Sequence, residues 1–157
     1  MMLTYRLVHL IETRSDALAS GLLHKVQRSP RTQAYQNIPP EELKQRVYEI
    51  YRHLGEWLLD KSESDTEERY FNIGVRRSRQ GVPLSQLVWA IILTKENLLE
   101  FVIEESASDR VVELFAKQEL FQLLDQFFDR AIHSAVLGYG FAAETNGERG
   151  GKLKKAG

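Results

Sequence analysis

The sequence predicts an all-α protein: an antiparallel bundle of four main helices plus one short helix. Three observations carry the prediction. Apolar residues recur every three or four positions along most of the chain. No segment alternates apolar and polar residues for long enough to read as a strand. The four prolines, at positions 30, 39, 40 and 83, all fall between periodic segments, where proline belongs in a helical protein. A chain of 157 residues suits one domain with its own core. With 43% hydrophobic and 27% charged residues, it has the composition of a folded body.

The first helix is expected from about Leu3 to Gln27, where Leu3, Leu7, Leu10, Ile11, Leu18, Leu22 and Val26 share a face. Ser29-Pro30 stops it, because the residue before proline is pushed out of helical geometry. The connector that follows is long and polar, with Tyr35 and Ile38 as its anchors to the body. A second helix starts at the paired prolines and runs to about Lys61. Leu43, Val47, Ile50, Leu54, Trp57 and Leu58 form its stripe, and Glu41 and Glu42 favour its positive end.

The segment SDTE (64–67) has the form of a capping box, with Ser64 as cap and Glu67 three residues on. The short third helix follows, to about Gln80. Gly81 suits a left-handed C-terminal cap and Pro83 the first turn of the next helix. The fourth helix, from about Pro83 to Glu105, is apolar over a wide face that includes Leu84, Leu87, Ile91, Leu98 and Val102, which predicts a central position. SASD (106–109) is a break with a cap. The last helix, to about Glu144, is rich in phenylalanine and carries Val112, Phe115, Leu124, Phe128 and Ala135 inward. Residues 1–144 are thus expected to form the bundle. Residues 145–157, glycine-rich and basic, read as a flexible tail or linker. So apolar a last helix predicts a symmetric dimer through the first or last helix.

Composition narrows the chemistry. Without cysteine there is no disulfide, thiol catalysis or thiolate metal site, which fits a reducing cytoplasm. The formal net charge of −1 gives no bulk attraction to nucleic acid or anionic membrane, and no basic recognition helix follows a turn. The longest apolar run, Leu87 to Leu93, is far too short for a bilayer, and the N-terminus does not read as a signal peptide. The pairs His9/Glu12 and His53/Glu56 stand in the reverse order to the Glu-x-x-His of di-iron bundles and are expected at the surface, so no metal or other cofactor is assigned. His133, beside Ile132 and near Phe128 and Val136, is the candidate axial ligand in an alternative reading as a haem- or small-ligand sensor. No nucleophile elbow, Ser-Lys pair or glycine-rich nucleotide loop is present, and the serines sit where caps are expected.

The basic feature is GVRRSRQGVPLSQLVWAI (74–91). Arg76, Arg77 and Arg79 occupy the last turns of the third helix, where the helix dipole favours cations. Against that preference, Glu100, Glu104, Glu105 and Asp109 crowd the C-terminal end of the fourth helix. An exposed, solvated helix end is the ordinary reading of these acids; the alternatives are pairing with the arginines of this or another subunit, or a docking surface for a basic partner.

The order of three segments resembles a known family. SPRTQAYQNIPPEEL (29–43), NIGVRRSRQGVPLSQLVWAIILTKENLLEF (72–101) and LLDQFFDRAIHSAVLGY (123–139) together are similar to the RsbRD-type, or RsbT co-antagonist, N-terminal domain. The resemblance places Gly74, Arg77, Gly81 and Pro83 in the family pattern, with a tight interhelical turn as their expected role. It implies a non-enzymatic sensory or regulatory domain of bacterial stress signalling that works by protein contact, as a dimer, commonly ahead of a STAS domain. No catalytic motif comes with it.

Overall fold

The computed structural model describes residues 2–52, 54, 63–105 and 111–156, and among them it is an all-α bundle without strands. In chain order the helices are α1 (Met2–Thr13), α2 (Ser15–Arg28), a 3-10 segment (Pro30–Asn37), α3 (Pro40–Arg52), α4 (Glu63–Arg79), α5 (Leu84–Glu105) and α6 (Val111–Ala156). The expected positions His53, Glu56, Trp57 and Leu58, and the break at 106–109 with Asp109, lie outside the described residues.

The expected first helix is two helices. The break falls at Arg14, whose φ and ψ are −100° and 13°. Its cause is local: the Thr13 hydroxyl donates to Leu10 O at 2.9 Å, the carbonyl that also accepts the Arg14 N–H. Such back-bonding by threonine bends helices. Both halves pack on α3, but α1 also packs on α6 and α2 on α5.

The connector is ordered for reasons visible in its residues. Ser29 Oγ accepts the Arg31 N–H at 3.2 Å, and the buried Thr32 hydroxyl donates to Val26 O at 2.6 Å. Tyr35 and Ile38 are both buried, as their apolar bulk predicts. The Ala34 N–H donates to Gln86 Oε1 at 2.8 Å, tying the segment to the start of α5. Replacing Gln86 with alanine is expected to lower stability by about 1 kcal/mol, the net value of one such bond, as read by urea titration.

The turn from α4 to α5 forms as its glycine and proline predict. Gly81 has φ +77°. Its N–H donates to Ser78 O and that of Val82 to Arg77 O, the paired bonds of a Schellman cap. Pro83 O then accepts from Gln86 and Leu87, opening α5. The Tyr139 hydroxyl donates to Val82 O at 2.7 Å and locks this turn to α6. The predicted capping position is displaced: α4 begins at Glu63, one residue ahead of Ser64.

At 17 residues α4 is not short, and its main partner is α6. The approach is close because both helices present glycine. A methyl group on Gly74 would collide with Ala135 O and come within 2.8 Å of Tyr139 N. One on Gly138 would collide with Phe71 O and lie 2.9 Å from Phe71 Cα. Tyr70, Phe127 and Phe128 pack beside this crossing, edge to face, at centroid distances of 5.8 and 5.0 Å. Helix α5 holds the central place expected of it, against α6, α2 and the 3-10 segment, with Leu87, Ile91, Leu98 and Val102 buried; Leu84 is exposed. The helical backbone of α6 continues to Ala156, beyond Glu144 where the bundle was expected to end.

Candidate functional site: a strapped apolar cavity

Helix α3 crosses the bundle like a strap fixed at two points. Near its start, Glu42 Oε1 lies 3.9 Å from Arg76 Nη1 and 3.8 Å from Arg77 Nη1 at the end of α4, and accepts from Gln80 Nε2 at 3.3 Å. Near its end, the fully buried Tyr51 hydroxyl donates to Thr94 O of α5 at 2.9 Å. Between these fixings Leu43, Arg46, Val47 and Ile50 face inward at the 3-and-4 spacing of one helical face. They cover an apolar cavity of about 70 Å³ whose opposite wall includes Tyr70, Ile73, Leu87 and Ala90. A polar hollow of about 350 Å³ adjoins it. The two share Arg46, Ile50 and Ile73, and the hollow adds Arg69, Arg76, Asn72 and Glu49.

Of the two arginines in the cavity wall, Arg46 and Arg77, the buried one is Arg77. Only 6% of its side chain is exposed. Its Nη1 donates to Gln80 Oε1 at 2.7 Å, and its guanidinium carbon lies 5.5 Å from the centre of the Tyr35 ring. A buried charge is retained only where ion pairing, hydrogen bonds and an aromatic face together replace water, and Glu42, Gln80 and Tyr35 supply all three. Burial pushes the Tyr35 hydroxyl up to about 12, with Arg77 pulling in the opposite direction.

A polar chain runs behind the strap. Asn97 Nδ2 donates to Leu18 O at 3.1 Å and to the Tyr51 hydroxyl at 3.4 Å, and its Oδ1 accepts from Lys25 Nζ at 2.9 Å. Lys25 continues to Glu100 at 2.6 Å. These bonds link α2, α3 and α5 through one buried amide, and they satisfy both of its ends.

The charged residues singled out in the sequence are distributed differently from the pairing the sequence suggested. Arg76 and Arg77 lie within ion-pair reach of Glu42 at the start of α3. Glu100 pairs with Lys25, and Arg79 and Glu104 are exposed. Gly74 is not a turn residue but the contact point with α6, and Arg77 is an interior cation, not a solvated one. His133 is exposed on the outer face of α6, shared with Val136 and Leu137, and does not line the cavity. His9 is exposed, and no cluster of three metal-ligating side chains occurs among the described residues.

Glu42, Arg46, Arg69, Tyr51 and Asn97 were not singled out from sequence as site residues. Arg46 did leave a signal: it sits at the spacing of Leu43, Val47 and Ile50, a cation inside an apolar stripe.

A domain family described as the RsbT co-antagonist protein rsbRD N-terminal domain matches residues 12–151. No curated protein and no solved structure matches the chain. The match covers nearly all of the bundle, and the chain belongs to this family.

Proposed function

As a member of the RsbT co-antagonist N-terminal family, a family of stress-response signalling, this chain is, we propose, a non-catalytic regulatory input domain that works in the bacterial cytoplasm through protein–protein contact, first of all with a second copy of itself. The observation that carries the reading is the outer face of α6. Val136, Leu137 and Phe141 lie on it at helical spacing, and Leu137 and Phe141 are 53% and 54% exposed. Phe71 of α4 extends the patch, with its ring centre 5.7 Å from that of Phe141. Contiguous apolar surface of this kind marks an interaction face. Arg79 and Glu104 are the exposed charges expected to meet a further signalling partner, whereas Arg76, Arg77 and Glu100 are engaged within the chain. Among the described residues no helix is long and apolar enough to cross a membrane.

The geometry also supports a route for the signal. Helix α4 forms the cavity wall through Tyr70, Ile73 and Arg77, and through Gly74 it is pressed onto α6, which bears the apolar patch. A displacement of the strap therefore bears on the contact face through one rigid helix pair.

Light scattering coupled to size exclusion tests the contact reading. The wild-type chain is expected to run as a dimer, and Leu137→Asp with Phe141→Asp as a helical monomer. A wild-type protein that stays monomeric across the micromolar range, and retains no partner in a pull-down, overturns it.

A further inference from the structure

The geometry points to the cavity beneath α3 and its adjoining hollow as one binding site for a small carboxylate with a short apolar tail, the tail lying in the cavity and the carboxylate at the arginines of the hollow. The inference rests on the reading of the chain as an input domain and names what that input recognises. Two independent observations support it. The cavity is lined mainly by aliphatic side chains, Leu43, Val47, Ile50, Ile73 and Ala90 among them, with Tyr35, Tyr70, Thr94, Arg46 and Arg77 completing the wall, and it lies between the two fixings of the strap. The hollow sharing its wall is lined by Arg46, Arg69, Arg76 and Glu49; Arg76 also lies 3.9 Å from Glu42, and Arg46 is the cation that borders both recesses. Guanidinium groups recognise carboxylates through paired hydrogen bonds, and a half-buried setting strengthens that attraction over its value in water. An apolar recess beside a cationic one selects a ligand that is both apolar and anionic, because either half alone leaves one recess without a matching group.

Size sets the class. The cavity, at about 70 Å³, is smaller than the ~150 Å³ that accepts benzene in a packed protein core. The tail is therefore a short aliphatic one. The hollow, at about 350 Å³, has room for the head group and its water.

Titration calorimetry on the full chain tests this with sodium butanoate, with butan-1-ol as the ligand without charge and inorganic phosphate as the anion without a tail. Butanoate is expected to bind at least about tenfold more tightly than butanol or phosphate, more weakly at high salt, and to raise the thermal midpoint. Arg46→Ala, at a half-exposed position, is expected to lower butanoate affinity about tenfold while far-ultraviolet dichroism stays unchanged. Ala90→Leu fills the cavity and is expected to abolish binding; Val47→Phe does the same from the strap side, should the first variant fold poorly. Equal affinity for butanoate and butanol, or butanoate binding that survives both filled-cavity variants, overturns the inference. The oligomeric state is read separately. A monomer that retains no partner in a pull-down yet binds butanoate overturns the contact reading alone, and a dimer indifferent to butanoate overturns this one alone.

Discussion

Gly138→Ala is expected to destabilise the fold by about 2 kcal/mol, although alanine is the better helix former by roughly 1 kcal/mol. The new methyl group would collide with Phe71 O, a backbone atom that cannot turn aside as a side chain would. Helices α4 and α6 must separate instead, and every contact near the crossing loosens, including the edge-to-face packing of Tyr70 on Phe127. Overpacking of this kind costs about 1–3 kcal/mol and sometimes more. Gly74→Ala meets Ala135 O from the other side and is expected to cost a similar amount. Because one separation of the helices relieves both collisions, the double variant should lose clearly less than the sum of the two. Gly140 supplies the contrast on the same helix. Nothing lies within 4 Å of a methyl group added there, so Gly140→Ala should raise stability by up to about 1 kcal/mol. Urea titration of the wild type and the four variants decides the matter. If Gly138→Ala matches Gly140→Ala, the close crossing is wrong.

These glycines mark the limit of what the sequence shows. Helix identity is local, so periodicity and proline placement reveal it well, and the Gly81–Pro83 turn follows from chain chemistry alone. The Gly74–Gly138 contact is tertiary. Each glycine taken singly looks like a weak point in a helix, and only the pairing of α4 with α6 makes both necessary. Arg77 misleads for a similar reason. A cation in the last turn of a helix already has an explanation in the helix dipole, and nothing nearby in sequence announces that Tyr35 and Glu42 will enclose it. The acidic end of α5 looked like its partner because charge can be read from sequence and distance cannot. The break at Arg14 was hidden by an apolar stripe that continues through it while its two halves, beyond their shared partner α3, turn to different helices. Arg46 lay closest to being readable, since a cation in register with Leu43 and Ile50 departs from the pattern around it.

Alkaline pH is expected to unfold the protein cooperatively between about pH 10 and 12, through its buried tyrosines. Tyr35, Tyr51 and Tyr70 are at most 5% exposed, and burial opposes the tyrosinate form in each. Tyr35 is pushed up from 10.0 to about 12; Tyr51 and Tyr70 are pushed up further, Tyr51 against an opposing hydrogen bond from Asn97. The direction follows from proton linkage. Above pH 10 the unfolded chain releases these protons while the folded chain keeps them, so stability falls as pH rises. It is fully present below pH 10 and is lost as pH climbs toward the folded values. For Tyr35 alone, a shift from 10.0 to about 12 corresponds to about 2.7 kcal/mol, and three such groups together exceed much of the ~5–15 kcal/mol that holds a typical domain folded. Tyrosinate absorbance should therefore rise with a cooperative component that coincides with the loss of helical dichroism. Tyr70→Phe, which removes one of the three acidic hydroxyls and keeps the ring against Phe127, should move that midpoint to higher pH. Complete ionisation of the six tyrosines with the helical signal intact would show that Tyr35, Tyr51 and Tyr70 are reached by solvent. The strap of α3 would then not be closed over its cavity by Tyr51.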